Sequence, residues 1–253
     1  KDKAAQVAES HSLDPFVSLI LVSRGITDYE DVEEFLESDF SFCDPYLITD
    51  MDKAVERIEK AIENQEKICV YGDYDADGIC ATTLLTRALK DYGVNAFSVV
   101  PERINGYGLS EEVLTEVLEN LFPDLIITVD CGISCVSEVE NLKDVGVDVI
   151  VTDHHELPDE IPDCTVINCK LSDQEYPFDA LCGAGVAYKL GCALIGERAN
   201  EYLDLVTIAT IADSMPLLDE NRDIVFEGLK LIKDLKNPAI AKLIDVSGLK
   251  EIT

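Results

Sequence analysis

From Asp50 onward, short apolar runs alternate with longer amphipathic ones. The rhythm predicts strands over Ile68 to Tyr71, Ala96 to Val100, Leu125 to Val129, Val149 to Thr152 and Thr165 to Asn168. Between and before them it predicts helices over Met51 to Asn64, Ile79 to Tyr92, Ser110 to Leu121 and Ser134 to Val145. In the helix from Ile79, Leu84, Leu85, Ala88 and Leu89 fall at helical spacing, and Gly93 supplies its stop. Such alternation implies an α/β chain whose mostly parallel sheet is covered by helices on both faces. The first 45 or so residues differ, with short helical stretches around Pro15 to Arg24 and Asp28 to Leu36 and no strand. After Asp179 the strands end, and helices follow over Gly185 to Ile195, Glu201 to Ile211 and Arg222 to Leu235. The expected organisation is a short helical segment, a parallel α/β body and closing helices.

Composition agrees with a packed body but complicates its partners. At 253 residues and 47% hydrophobic content, the chain can bury a substantial core. Against 51 Asp plus Glu stand 20 Lys plus Arg, a formal net charge of −31 that repels nucleic acid at long range. Two divalent cations would offset only about four of those charges. A nucleic-acid role therefore requires a local basic groove or a separate basic domain, while most of the carboxylates read as solvated surface. Nine cysteines, an odd number without a CxxC pair, suggest reduced, buried thiols in a cytoplasmic protein. No apolar run reaches membrane-spanning length and Lys1 opens no signal-peptide pattern, so no membrane association is expected.

Candidate chemistry concentrates where predicted strands end. Ile68-Cys-Val-Tyr71 runs into Asp73, Asp75 and Asp77; Leu125 to Val129 runs into Asp130; Val149 to Thr152 runs into Asp153, His154 and His155. In an open parallel sheet these carboxyl ends converge on one edge, where helix N-termini also point. Carboxylates gathered there repel one another unless a cation compensates. Oxygen donors with one or two imidazoles and no cysteine suit Mn2+ or Mg2+ rather than structural zinc. Two such ions about 3.5–4 Å apart are the arrangement that hydrolyses phosphoesters. Asp73-x-Asp75-x-Asp77-Gly78 also matches the opening of an EF-hand calcium loop. That loop needs a preceding helix and a glutamate at its twelfth position, whereas here a strand precedes and Leu84 stands there.

Four ordered runs carry a family resemblance: Val70-Tyr-Gly-Asp-Tyr-Asp-Ala-Asp-Gly78, Thr128-Val-Asp-Cys-Gly132, Thr152-Asp-His-His155 and Ile208-Ala-Thr-Ile-Ala-Asp-Ser-Met-Pro-Leu217. Together they resemble the successive motifs of the DHH phosphoesterase superfamily. Pro101-Glu-Arg-Ile-Asn-Gly-Tyr-Gly-Leu109, Cys182-Gly-Ala-Gly-Val-Ala-Tyr-Lys-Leu190 and Glu220-Asn-Arg222 are similar to its RecJ-like branch of 5′-to-3′ exonucleases specific for single-stranded DNA. The resemblance implies Asp75, Asp77, Asp130, His154 and Asp213 as ligands of two Mn2+ or Mg2+ ions, with Asp130 between them. It implies His155 as the residue that steadies the scissile phosphate, Asp73 as an accessory carboxylate of the catalytic group and Asp153 as a residue that orients a histidine. Arg103, Tyr107, Gly183 and Gly185 become candidate contacts to single-stranded DNA, with Lys189 and Arg222 as further basic candidates. Tyr71 stands where many superfamily members carry a histidine ligand. The implied division is a helical N-terminal segment 1–46, a catalytic domain 47–220 and a linker helix beginning in 221–253. In the full-length protein that linker would lead to a DHHA1-like domain and a nucleic-acid-binding domain, both absent from this sequence. A small-substrate phosphoesterase of the nanoRNase or cyclic-dinucleotide type, or a catalytically silent scaffold, are the alternatives; a silent member typically loses acidic ligands, and this chain keeps them.

Overall fold

The computed structural model describes residues 2–36, 42–172 and 174–249. Residues 1 and 37–41 of the expected N-terminal segment, and 250–253 of the expected linker, lie outside the described residues. The chain divides into two compact units, Lys1–Phe42 and Cys43–Thr253.

The first unit holds α1 (Asp2–Ser10), α2 (Pro15–Ser23) and α3 (Tyr29–Leu36), packed around Val7, Leu21 and Val32. Asp14 caps α2 by accepting from the Phe16 N–H, and Pro15 supplies the pre-set backbone of its first turn. Expectation and structure differ at α1, which is not among the expected helices and buries only Ala4 and Val7.

The second unit begins with a one-turn 3-10 helix, Pro45–Leu47, and α4 (Met51–Glu63). There follow β1 (Ile68–Gly72), α5 (Ala76–Tyr92), β2 (Phe97–Val99), α6 (Glu111–Asn120), β3 (Leu125–Val129), α7 (Val136–Asp144), β4 (Asp148–Thr152) and β5 (Thr165–Ile167). The helices α8 (Gly183–Ile195), α9 (Leu203–Ala212), α10 (Asp219–Lys233) and α11 (Pro238–Ser247) complete it. The division falls before the expected boundary at 46/47, since Tyr46 already donates its hydroxyl to the Ala193 carbonyl at the end of α8. α10, in the segment expected to begin a linker helix, buries Ile224, Val225 and Ile232 within this unit.

All five strands are parallel, in the order β2-β1-β3-β4-β5. Side chains alternate between faces: Cys69, Tyr71, Ile126, Val149 and Val151 share a core with Leu114 and Val117 of α6 and Val139 and Leu142 of α7. On the opposite face α5 packs on β1, α8 on β3 and β4, and α4 on β5. Gly72, Val129 and Thr152 stand side by side in register as the last residues of β1, β3 and β4. Asp73, Asp130 and Asp153 therefore leave the sheet at one level. Strand order reverses between β1 and β3, where an open sheet forms its ligand crevice.

The α9–α10 contact is close enough to exclude a methyl group. A Cβ on Gly228 would lie 1.9 Å from Thr207 Oγ1 and 2.3 Å from the Leu203 carbonyl oxygen, and the carbonyl cannot swing aside. Gly228→Ala should lower the unfolding free energy by about 1–3 kcal/mol, read as a reduced urea midpoint. An unchanged midpoint would contradict the packing.

Candidate metal centre

Asp75 is the N-cap of α5, accepting from the Gly78 N–H at 3.0 Å. Asp77 follows in the first helical turn, where the helix dipole favours an anion. It is buried, and both oxygens are held from the start of α8, the Gly183 N–H donating to Oδ2 and the Ala184 N–H to Oδ1, each at 2.7 Å. Two helix N-termini thus converge on one carboxylate.

Asp130 follows β3 in the left-handed region, φ 61°, while its N–H continues the sheet ladder to Thr152 O at 3.0 Å. A non-glycine residue there costs about 1–2 kcal/mol and turns the side chain away from a strand's usual course. Asp130 is buried, and its Oδ1 accepts no hydrogen bond among the described residues; the same holds for Asp73 Oδ1. Asp153 has the opposite environment. Its carboxylate accepts from the N–H groups of Ile133 (2.9 Å), His154 (2.7 Å) and His155 (3.2 Å), and from His155 Nδ1 at 2.7 Å.

His154 Nε2 lies 3.2 Å from Asp130 Oδ1 and 3.7 Å from both Asp77 Oδ2 and Asp213 Oδ2. Asp213 caps the C-terminus of α9, which ends in a Schellman pattern: Ser214, φ 58°, donates to Ile211 O and Met215 donates to Thr210 O. An anion at a helix C-terminus opposes the dipole, a placement that a cation would reverse.

Three donor groups, each with atoms within 4.8 Å of one another, overlap in this space: Asp73, Asp75 and Asp130; Asp77, His154 and Asp213; Asp130, His154 and His155. Burial, then the charges of Asp77 and Asp75, push the Asp130 carboxyl up to about 10. Burial also raises Asp77, against the Ala184 and Gly183 amides, and raises Asp73. Burial lowers His154. His155 is raised, chiefly by its hydrogen bond to Asp153. Burial works to raise Asp153 but is outweighed by the His155 ring and the backbone amides, so this carboxyl lies below its usual range. Orphaned buried oxygens beside hard oxygen and imidazole donors fit Mn2+ or Mg2+.

The structure brings Asp73, Asp75, Asp77, Asp130, His154, His155 and Asp213 into one centre, with Asp153 behind His155. Asp73 sits among the donors rather than behind them. Tyr71 is turned onto the α6 face, its hydroxyl donating to Gly108 O and accepting from the Ser110 N–H, so it offers nothing at the histidine position. Tyr107, expected as a stacking surface, keeps an exposed ring, and its hydroxyl lies 2.9 Å from His155 Nδ1, 3.2 Å from Nε2 and 3.5 Å from Asp130 O. The Arg103 guanidinium lies over the Tyr74 ring, 5.1 Å from its centroid. Two expectations are corrected. The Gly183 amide is taken by Asp77 and the Gly185 amide by Cys182 Sγ, so neither is spare for a phosphate. Lys189 is buried against Glu220 and adds nothing to a basic surface. Sequence reasoning missed Ala184, Ile133 and Asn221; their contributions run through backbone groups or a lone amide and leave no residue-type signal.

The fold and centre together define an open parallel α/β protein whose carboxyl edge gathers donors for hard divalent cations. The chain belongs to the DHH family: the model of the DHH family, N-terminal domain, matches residues 67–210. It is 41% identical over 251 residues, 98% of this chain and 32% of the relative, to the single-stranded-DNA-specific exonuclease RecJ of Bacillus subtilis. Among solved structures it is similar to RecJ from Thermus thermophilus in complex with Mn2+, with TM-score 0.78, 31% identity and coverage of 97% of this chain and 35% of that one. It is also similar to an exonuclease RecJ bound to manganese, with TM-score 0.72, 37% identity and coverage of 80% and 53%. The chain spans about a third of the length of the Bacillus relative.

A raised carboxyl stabilises the fold while it keeps its proton. That contribution is complete below the unfolded value near 4 and is lost as pH rises towards 10. In EDTA, Asp130→Asn should therefore melt above wild type, by a margin that widens from about pH 5 to about pH 9. Mn2+ at roughly 100 times its Kd should stabilise wild type by about 2.7 kcal/mol and the variant far less. Thermal melts across pH check both; a margin that shrinks with pH would refute the assignment. Gly183→Ala should weaken Mn2+ binding about tenfold in calorimetry, because its Cβ would fall 2.4 Å from Asp130 Oδ1.

Proposed function

We propose that this chain is the catalytic part of a divalent-metal-dependent exonuclease that hydrolyses single-stranded DNA, within a longer protein carrying further C-terminal domains. The observation that carries the reading is the convergence of β1, β3, β4 and the end of α9 on one set of carboxylate and imidazole donors. The proposed ligands are Asp75, Asp77, Asp130, His154 and Asp213, with Asp73 added on its place among the donors. Bound Mn2+ or Mg2+ would activate water and stabilise the attacking and leaving oxygens of the phosphoester.

The chain's own residues supply the rest. Asp153 holds His155 by its Nδ1 and favours its protonated form, so that the half-exposed ring, when protonated, can meet charge developing on a phosphate. The Tyr107 hydroxyl, 3.2 Å from Nε2, can accept the proton on the other side of that ring. Arg103 on Tyr74 offers a cation and an aromatic face at the rim, a combination that receives single strands without reading their sequence. Residues 47–220 form the catalytic domain in this reading, and a reducing, cytoplasmic setting is supported by nine cysteines that are all free thiols.

With Mn2+, the longer protein that contains this chain should release mononucleotides from single-stranded DNA, spare blunt duplex and stop in EDTA. His155→Ala should cut kcat about 100- to 1000-fold. Tyr107→Phe, which deletes one hydrogen bond worth about 1 kcal/mol, should cut it roughly fivefold. Intact single-stranded DNA alongside hydrolysed dinucleotides or pyrophosphate would transfer the site to the small-substrate class.

A further inference from the structure

Glu220 and Asn221 lie in the first turn of α10, are buried, and among the described residues share no hydrogen bond with the metal-site donors. Glu220 gathers the Lys189 ammonium, the Tyr176 hydroxyl and the Cys43 N–H, the last at 3.1 Å, while Lys189 also donates to Cys43 O at 2.9 Å. These bonds tie the first turn of α10 to α8 and hold its next residue in place.

The Asn221 carboxamide uses both protons of Nδ2. One goes to Ala180 O at 2.7 Å, the other to Pro216 O at 3.1 Å, while Oδ1 accepts none among the described residues. Burying an amide with an unpaired oxygen costs about 1–3 kcal/mol, a cost an apolar side chain of similar size avoids. The two donated bonds are therefore what the position requires. Ala180 lies three residues before Gly183, whose N–H grips Asp77; Pro216 lies three residues after Asp213. Asp77 and Asp213 are the two carboxylates that face His154 Nε2 at 3.7 Å.

We infer that Asn221 is a positioning residue of the metal centre: its single NH2 group spans the two loops that carry Asp213 and the amide anchor of Asp77, and so sets their separation across His154. The inference rests on the metal-dependent reading above. Aspartate at this position would turn two donors into none and set its oxygens against two carbonyls; serine would keep one donor on a shorter arm.

The test is Mn2+ calorimetry on wild type, Asn221→Asp, Asn221→Ser, Asp213→Ala and the Asn221→Ser/Asp213→Ala double variant, with circular dichroism to verify folding. Asn221→Asp and Asn221→Ser are expected to bind Mn2+ about 10- to 100-fold more weakly while folded. In the Asp213→Ala background, Asn221→Ser should cost less than it does in wild type, since the part of its effect that runs through Asp213 is already lost and only the part through the Asp77 anchor remains. Wild-type Mn2+ affinity in the folded variants, or losses that add fully in the double variant, would overturn the inference and leave the metal reading standing. Should Asn221→Asp not fold, Asn221→Ser carries the same comparison. No Mn2+ uptake by wild type would overturn the metal reading itself, and this inference with it.

Discussion

Like-charged carboxylates crowded out of water at the ends of three parallel strands are the constraint around which this molecule is arranged. Two unit charges about 4 Å apart at an effective dielectric constant of about 20 repel by about 4 kcal/mol, and Asp77 and Asp130 both lie within reach of a single imidazole nitrogen. The fold answers part of that repulsion with its own groups. The N-termini of α5 and α8 converge on Asp77, and four N–H groups saturate Asp153. It leaves Asp130 Oδ1 and Asp73 Oδ1 without donors and puts Asp213 at the wrong end of a helix dipole. The unanswered remainder has the charge and the donor chemistry of a divalent-cation site.

Asp130 and Asp153 show how finely the division is made. Both are aspartates, both are buried, and both follow the last residue of adjacent, in-register strands. Asp153 receives backbone and imidazole N–H groups and is held ionised, which makes it a fixed anchor for His155. Asp130, turned by its positive φ, has an Oδ1 that accepts no hydrogen bond among the described residues, and it is pushed towards its neutral form until a cation arrives. Opposite environments for one residue type separate holding a histidine from offering a ligand.

This explains what the sequence made legible. Apolar strands ending in Asp73, Asp130 and Asp153-His154-His155 can be read directly, because a parallel sheet puts its carboxyl ends together whatever the loops do. The start of α11 was equally written in Asn237-Pro238, a side-chain cap followed by a first-turn proline, and its end in Gly248. Ile240, Leu243 and Ile244 also fall at helical spacing, although Ile240 is its one buried residue, and this helix is not among those expected. The errors at Gly183 and Gly185 have another origin. A glycine-rich helix start announces close approach to something, but the partner of Gly183 is Asp77, 106 residues away. The hydroxyl of Tyr107 is a separate case, because an exposed aromatic in a loop gives no sign that the fold will bring His155 to it.

The net charge of −31 and a nucleic-acid substrate can then coexist, because the opposing effects act at different ranges. Long-range repulsion from surface carboxylates is screened within about 8 Å at physiological ionic strength. Capture at the rim is a contact interaction. Arg103 stands on a 3-10 turn fixed by reciprocal Glu102 and Asn105 caps and rests on the Tyr74 ring, although Tyr74 lies between Asp73 and Asp75. A guanidinium stacked on an aromatic face still has its in-plane N–H donors for a phosphate. Ile104 beside it is 89% exposed, an apolar surface that a base can cover. An acidic protein can therefore hold a polyanion at such a site when metal ions and a few positioned contacts act locally, and a basic domain elsewhere in a longer protein would raise the encounter rate without altering the chemistry.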